Sequence, residues 1–147
     1  MYTPKKYFAG LSKQNARTRK KEIKRFGKKS FKDPSAYIGF KTNNGIKTKK
    51  SNYTRKFQSM FPRAKTLKQK SQATGVPVKY LRESYNRGMA AWRTGHRPGA
   101  SQQQWGYARV HSILTCGKTY ETTDSDIVRT AKKYSSSAKK WWNKVCI

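Results

Sequence analysis

The chain has very few acidic residues, and this scarcity is its most informative feature. Six Asp and Glu stand against 35 Lys and Arg in 147 residues, which leaves a formal charge of +29. A net charge so far from zero repels itself in the compact state, so we expect a counter-charge to neutralise it. The sequence therefore predicts a polyanionic partner, with DNA as the first candidate beside an acidic protein lattice or an anionic membrane surface.

Long apolar runs are also missing. No stretch approaches the roughly 20 apolar residues of a membrane span, and the first residues lack the apolar segment of a signal peptide. Only 34% of the residues are hydrophobic, yet there are four Trp, nine Tyr and six Phe. We expect a thinly cored domain in which aromatic rings supply much of the buried area. Its expected place is inside a cell or inside a particle that is assembled there.

Cysteine is too scarce for a common zinc module. Cys116 and Cys146 stand thirty residues apart, with no CxxC pair and no flanking His pair, and this spacing excludes the usual zinc-binding patterns. The sequence favours two unpaired thiols in a reducing compartment over a single disulfide.

Recognisable catalytic patterns are absent as well. There is no phosphate-binding GK[ST] loop, no HExxH and no GxSxG, and neither His96 nor His111 has a carboxylate or nucleophile at a familiar spacing. Asp124 and Asp126 are better explained as negative charges at a helix start than as ligands of a divalent cation, because no third ligand follows at helical spacing. The sequence predicts a non-enzyme without a metal, a cofactor or a small-molecule substrate.

The basic residues are concentrated in the first half of the chain, where residues 1–70 hold 22 Lys and Arg and two acids. Ser12 predicts a helix start, with Ala16, Ile23 and Phe26 facing the body. A solvent-exposed helix face ordinarily carries both acidic and basic residues. The exposed face of this helix is almost entirely basic, which favours contact with an anion. The residues predicted to bind a polyanion here are Arg17, Arg19, Lys20, Lys21, Lys24 and Arg25.

The fold class that we predict is all-α, with a basic N-terminal arm and helix over residues 1–50 and a helical domain over residues 51–147. Further helix starts are predicted at Ser51, Thr66 and Ser101. One long C-terminal helix is expected, with a 4-3 spacing of apolar residues at Ile127, Ala131, Tyr134, Ala138, Trp141 and Val145. Packing near Tyr53 and Phe57 is favoured for this seam. The alternative is a partner-docking helix with Trp141 or Trp142 as its anchor.

Residues 66–87 have the layout of a helix-turn-helix, with Ser71 where the helices cross, Gly75 in the turn and Leu81 and Tyr85 on the second helix. If the unit binds DNA, the side chains nearest the groove are Lys79, Tyr80, Arg82, Asn86 and Arg87. Many such hairpins are purely structural, and that interpretation is favoured.

The segment 86–99 places Arg87, Arg93 and Arg97 around Trp92 in a stretch rich in Gly and Pro. Its arginines can meet an anion. Equally, the segment can be a structural elbow in which Arg groups stack on aromatic rings and satisfy helix carbonyls.

The sequence RGMAAWRTGHRPGASQQQWGYARVHSILTCGKTY, with the leading TPKKYFAGLS and the later DSD, resembles a family of small basic proteins of unknown function from large double-stranded DNA viruses of algae. The resemblance covers about residues 3 to 142. It implies a viral origin and brings no assigned catalytic or binding residues.

We therefore expect a non-enzymatic structural protein of a large DNA virus particle, a minor or internal capsid protein at the interior or inner face of the capsid. Assembly is expected in the host cytoplasm or nucleus. The expected partners are acidic inner surfaces of capsid proteins, with double-stranded DNA and the inner membrane surface as further partners. The alternative is a helix-turn-helix-containing protein that binds or condenses double-stranded DNA without sequence preference.

Overall fold

Hydroxyl groups cap four α-helices at the positions that the sequence predicts, namely Ser12, Ser51, Thr66 and Ser101. In each case the side-chain oxygen accepts a hydrogen bond from a backbone N–H of the first turn. At Thr66 and Ser101 the side-chain oxygen of a Gln three residues later accepts a hydrogen bond from the backbone N–H of the capping residue. These bonds satisfy donors that have no partner inside the helix.

The computed structural model of the protein describes residues 4–29, 39–43, 46 and 50–146. Within these residues there are α-helices and 3₁₀ turns and no β-strand, which confirms the all-α prediction. The α-helices are α1 (Lys13–Gly27), α2 (Asn52–Met60), α3 (Leu67–Thr74), α4 (Val78–Trp92), α5 (Gln102–Leu114), α6 (Lys118–Glu121), α7 (Ser125–Tyr134) and α8 (Ser136–Val145). The 3₁₀ turns are Lys5–Phe8 and Lys41–Asn43. Among the helices described, none is long and apolar enough to cross a membrane.

The chain forms two compact units. The first unit comprises Met1–Lys49 and Met89–Trp105, and the second comprises Lys50–Gly88 and Gly106–Ile147. The chain passes from the first unit to the second at residues 49–50, near the predicted division, and the segment 89–105 belongs to the first unit.

The second unit is built around a cluster of thirteen buried residues: Phe57, Val76, Tyr80, Leu81, Val110, Ile113, Leu114, Ile127, Val128, Ala131, Ala138, Trp141 and Trp142. The indole N–H groups of both tryptophans are bonded inside it. Trp141 donates to the carbonyl of Leu114 at 3.1 Å, and Trp142 donates to that of Ile113 at 2.9 Å. The seam thus packs on its own unit, with Phe57 in the same cluster, and the predicted docking role of Trp141 and Trp142 is wrong because their rings and N–H groups are already used.

The prediction of one long C-terminal helix is also wrong. Ser135 has an extended backbone (φ −133°, ψ 112°) that separates α7 from α8. Its hydroxyl accepts a bond from the N–H of Ala138 at 3.2 Å and so caps the new helix. Serine side chains compete for backbone hydrogen bonds, and the run of three serines at 135–137 favours such a break. Tyr134 therefore ends α7 with 71% of its surface exposed and does not join the seam.

The two cysteines form a disulfide, which corrects the prediction of unpaired thiols. Cys116 follows α5 and Cys146 follows α8, and their Cα atoms are 5.5 Å apart. The hydrogen bonds of Trp141 and Trp142 hold α8 against the end of α5. This tertiary packing brings the cysteines together, and a separation of thirty residues in the sequence gives no sign of it.

The predicted pair of helices over residues 66–87 is present. Gly75 caps the C-terminus of α3, and its φ of 86° is in the left-handed region that favours glycine. α4 begins at Val78, so a turn of three residues joins the two helices. The second helix runs on to Trp92, beyond the end of the predicted unit.

Candidate polyanion-binding surface

α1 turns one side to its unit and the opposite side to solvent. Arg19, Ile23 and Phe26 are buried and Ala16 is half-buried, which gives a 3-4-3 spacing. Since an α-helix has 3.6 residues per turn, the exposed basic residues cover about 140° of the circumference opposite this stripe. We call them the α1 basic face: Lys13, Arg17, Lys20, Lys21, Lys24, Arg25 and Lys28. Five of the six residues predicted to bind a polyanion in this helix lie on it.

Glu22 is the one acid of α1, and its carboxylate is occupied elsewhere. It accepts hydrogen bonds from the backbone N–H of Lys41 at 2.6 Å and from the hydroxyl of Thr42 at 2.6 Å. The N–H of Thr42 donates to it at 3.4 Å. These bonds hold the 3₁₀ turn against α1. In the described part of the chain no acidic side chain forms an ion pair with the α1 basic face.

Arg19 is the exception among the predicted residues, because its side chain is fully buried. Its guanidinium donates to the Thr42 hydroxyl at 3.0 Å and to the Asn43 side-chain oxygen at 2.8 Å, and also to the carbonyl of His96. Burial lowers the pKa of Arg19 to about 10, so it remains charged at neutral pH. The prediction that Arg19 binds a polyanion is wrong. Its place in register with the apolar stripe of α1 was the sequence signal that could have shown this.

His96 forms the other half of this buried cluster. Its ring stacks on Trp92 and Phe40, with centroid distances of 4.3 and 4.8 Å. Burial lowers the pKa of His96 to about 3, so the ring is neutral. Its Nδ1 lies 2.7 Å from the carbonyl of Trp92 and its Nε2 lies 3.0 Å from the amide nitrogen of Asn43. With the proton on Nδ1, the ring donates to Trp92 and accepts from Asn43.

The loop after α4, which we call the elbow, is held by hydrogen bonds of Trp92 and Arg93. The indole of Trp92 donates to the carbonyl of Ala100 at 2.8 Å and closes the loop. Arg93, a predicted polyanion-binding residue, is half-buried and donates to the carbonyl of Lys29 at 2.8 Å. Arg97, also predicted, is half-buried.

Asp124 anchors a polar cluster that the sequence did not reveal. It stands at the N-cap position of α7, but its side chain caps nothing. Instead the buried carboxylate accepts two bonds from Arg109, at 3.0 and 2.7 Å, and one from the hydroxyl of Ser84 at 2.9 Å. Because α4, α5 and α7 supply the three groups, only their packing brings them together. The prediction that Asp124 acts as a helix-start charge alone is incomplete.

Arg87 is hydrogen-bonded to the same cluster through Asp124. It is therefore not available to bind phosphate, contrary to the prediction from the sequence. It donates to Asp126 at 2.9 and 2.7 Å and to Glu83 at 3.1 Å. The hydrogen bond with Asp126 raises the pKa of Arg87 and lowers that of Asp126 below its ordinary range. Its charge is already compensated by carboxylates, so it does not supply a free cation to DNA.

The remaining predicted residues of α4 divide into two groups. Lys79, Arg82 and Asn86 are exposed, whereas Tyr80 is 5% exposed and belongs to the core cluster. Tyr80 and Leu81 are adjacent, and both face the core. The prediction that Tyr80 faces a DNA groove is wrong.

His111, the second histidine, is also buried in its unit. Its Nδ1 lies 2.8 Å from the hydroxyl of Thr54, and its ring stacks on Phe57 with centroids 4.9 Å apart. Burial lowers the pKa of His111 to about 3. Over the described ranges, no group of three or more His, Cys, Asp or Glu is placed to hold a metal ion.

Comparison with known proteins identifies the family. No curated protein and no solved structure is significantly similar to the chain. The model of the family of unknown function DUF5824 matches residues 4–131, which is most of the 147 residues. The chain therefore belongs to the family of unknown function DUF5824.

Proposed function

We propose that the protein is a non-enzymatic structural protein of a large DNA virus particle, a minor or internal capsid protein that contacts a polyanionic surface through the α1 basic face. The observation that carries the proposal is this face itself. It presents seven exposed cations, and the one acid of the helix is bonded to the turn at Lys41 and Thr42. Since no described acid pairs with these seven cations, their charge is available to a partner.

Three of the other four described carboxylates support the same interpretation, and Glu121 alone forms none of these ion pairs. Asp124, Asp126 and Glu83 are bonded to Arg87 and Arg109, within the second unit. They therefore compensate arginines of their own cluster and leave the remaining cations for external anions. In a virus particle the available polyanions are acidic inner surfaces of capsid proteins, the inner membrane surface and packaged DNA.

The viral part of the proposal is supported by the resemblance of residues 87–120 to small basic proteins of large DNA viruses of algae. The non-enzymatic part is supported by the state of the groups that ordinarily perform proton transfer. His96 and His111 are buried and held neutral by burial, and a general base must reach the proton that it removes.

A second candidate is a protein that binds or condenses double-stranded DNA in the particle without sequence preference. The exposed Lys79, Arg82 and Asn86 on α4 favour it. Tyr80 and Arg87 are engaged within the unit, and this supports phosphate contact over base reading, because phosphate contacts carry no sequence information directly.

The test is the location of the chain in fractionated particles. Purified particles are separated into shells stripped of DNA and genome-containing cores, and each fraction is quantified by mass spectrometry. We expect a fixed copy number in the stripped shells. Departure of the chain with the genome would favour the second candidate, and absence from both fractions would contradict a role in the particle.

A further inference from the structure

The two units have almost equal net charge. The first unit contains 17 Lys and Arg and two acids, and the second contains 18 and four, so the net charges are +15 and +14. Although the first half of the sequence is the more basic, the two folded units carry nearly the same net charge. A partner that neutralised only the first unit would leave the positive charge of the second unit uncompensated.

The second unit spreads its cations over several helices. Helices α2, α4, α7 and α8 each bury one side in the cluster of thirteen residues, so their exposed sides face outward in different directions. Exposed cations on these helices are Arg55, Lys56, Lys79, Arg82, Arg129, Lys133, Lys139, Lys140 and Lys144. A stiff polymer that lies along one side of such a body reaches only part of this charge.

α8 has the densest acid-free part of this surface. Lys139, Lys140 and Lys144 are exposed, and no acid occurs in the helix. The opposite side of α8 is buried in the core through Ala138, Trp141 and Trp142. At 3.6 residues per turn the three lysines span about 140° of the helix. We call them the α8 lysine face.

We propose that one molecule holds two segments of duplex DNA together, with the α1 basic face on the phosphates of one segment and the α8 lysine face on those of the other. The proposal rests on the polyanion binding proposed above and takes the polyanion to be the duplex DNA of the second candidate function. Each phosphate that is neutralised releases a counterion, so a second segment adds binding free energy that one segment leaves unused. Bridging of this kind condenses DNA.

The composition of both faces favours DNA over an acidic protein. Protein interfaces are enriched in aromatic residues, Met and Arg and depleted of Lys. Five of the seven cations of the α1 basic face and all three of the α8 lysine face are Lys, and lysine binds phosphate as a point charge. The exposed large apolar side chains of the described residues are Met60 and Tyr134, and neither lies on α1 or α8. The two faces therefore offer charge without an apolar anchor.

A two-duplex capture assay tests the proposal with the full chain. One duplex is fixed to beads, a second duplex of unrelated sequence carries a fluorophore, and the fluorescence retained on the beads is measured as protein is added. Binding to a single duplex is measured separately. We expect retention to rise and then fall, because excess protein covers each duplex separately.

The diagnostic variant is Lys139→Gln, Lys140→Gln, Lys144→Gln. We expect it to bind a single duplex within about threefold of wild type through α1 and to lose roughly tenfold in retention, since three phosphate contacts are removed. The matched control is Arg63→Gln, Lys65→Gln, Lys118→Gln, which removes the same charge from exposed positions outside both faces and should bridge like wild type. Arginine at the three α8 positions should preserve bridging and shows that charge is the cause.

Several outcomes would overturn the inference. Wild type that binds the fixed duplex and retains no labelled duplex at any ratio contradicts it, as does an α8 variant that bridges like its control. Wild type that ignores DNA and stays in stripped shells places the partner among acidic proteins, and this refutes bridging while the proposed role in the particle stands. Bridging by a chain that is absent from particles refutes that role and supports the bridging inference.

Discussion

The first and second units differ in what fills their interiors. In the second unit thirteen buried residues form one cluster, and the Cys116–Cys146 disulfide lies beside it. In the described part of the first unit the corresponding cluster has three residues, Ile23, Phe26 and Phe40. Next to these three lie Arg19 and His96, both fully buried and joined to the 3₁₀ turn and the elbow by hydrogen bonds.

The difference shows how a chain with little apolar content can hold two units. Apolar burial contributes roughly 25 cal/mol per Å², and the second unit has most of it. In the first unit a buried guanidinium and a neutral imidazole connect segments that are far apart in the sequence. We expect the second unit to depend most on ring packing and the first to depend most on polar contacts.

The largest effect is expected for Trp142→Ala in the second unit. The ring is fully buried and its N–H is bonded to Ile113, so truncation should lower the free energy of unfolding by about 3–5 kcal/mol. Chemical denaturation measures the loss. Tyr134→Ala is the matched control, since Tyr134 is 71% exposed and should change stability little. Equal effects of the two changes would contradict the assigned packing.

The next effect is expected for Arg19→Gln in the first unit. The change removes the guanidinium that donates to the Thr42 hydroxyl, the Asn43 side-chain oxygen and the His96 carbonyl. We expect a loss of about 2–4 kcal/mol because unsatisfied buried groups are costly. Hydrogen exchange of the α1 amides measures it. Arg17→Gln, two residues away and exposed, should leave the exchange unchanged. If the two variants behave alike, the polar cluster does not hold the first unit.

A smaller effect is expected from mild acid, and it should act on both units. His96 and His111 have pKa values of about 3 in the folded protein, against an ordinary value of 6.5. Between these values the unfolded chain binds protons that the folded chain does not, so stability falls as the pH drops. From pH 7 to pH 5 the loss is about 2 kcal/mol per histidine.

Denaturation at the two pH values measures this loss, and NMR titration of the imidazole rings identifies its source. We expect neither ring to titrate above about pH 4. A ring that titrates near its ordinary value would show that it is not held neutral by burial, and its share of the acid sensitivity would disappear.

The smallest effect on stability is expected for the combined change of Lys20, Lys21, Lys24 and Arg25 to Gln. All four side chains are exposed on the side of α1 opposite its buried stripe. Surface substitutions of this kind usually stay within about 0.5 kcal/mol. A thermal melt checks the prediction, and a large drop in the melting temperature would mean that these side chains support the first unit.

Local signals in the sequence predicted local structure well. Ser12, Ser51, Thr66 and Ser101 begin helices because a capping hydroxyl needs only the first turn of its own helix. Gly75 ends α3 because few other residues adopt its backbone conformation readily. Neither prediction requires knowledge of the rest of the fold.

Predictions that depend on tertiary packing failed for a common reason. The 4-3 spacing from Ile127 to Val145 continues across the break at Ser135, so the spacing alone gives no sign that two helices are present. The pairing of Cys116 with Cys146 depends on α8 packing against α5.

The sequence predicted most residues of the α1 basic face correctly, but its prediction for Arg19 was wrong. That residue occupies the buried register of α1, and its charge concealed the register. Glu83, four residues before Arg87, is a local partner, but the other partners of Arg87 lie 36 to 39 residues away, beyond any local pattern. Exposed cations could be assigned from helix periodicity alone, whereas buried and paired ones required the fold.

In the described part of the chain the α1 basic face has no ion-pair partner, and we claim that its cations are available to phosphate; the salt dependence of duplex binding tests this most directly. The logarithm of the affinity is measured against the logarithm of salt concentration for wild type and for the variant with Gln at Lys20, Lys21, Lys24 and Arg25. The matched control has Gln at four exposed positions outside both faces, namely Arg63, Lys65, Lys68 and Lys118. We predict that the slope of the α1 variant falls by about three to four, at roughly 0.9 for each phosphate that the variant leaves without a cation, and that the control slope changes by less than about one. An α1 variant with the wild-type slope would contradict the claim.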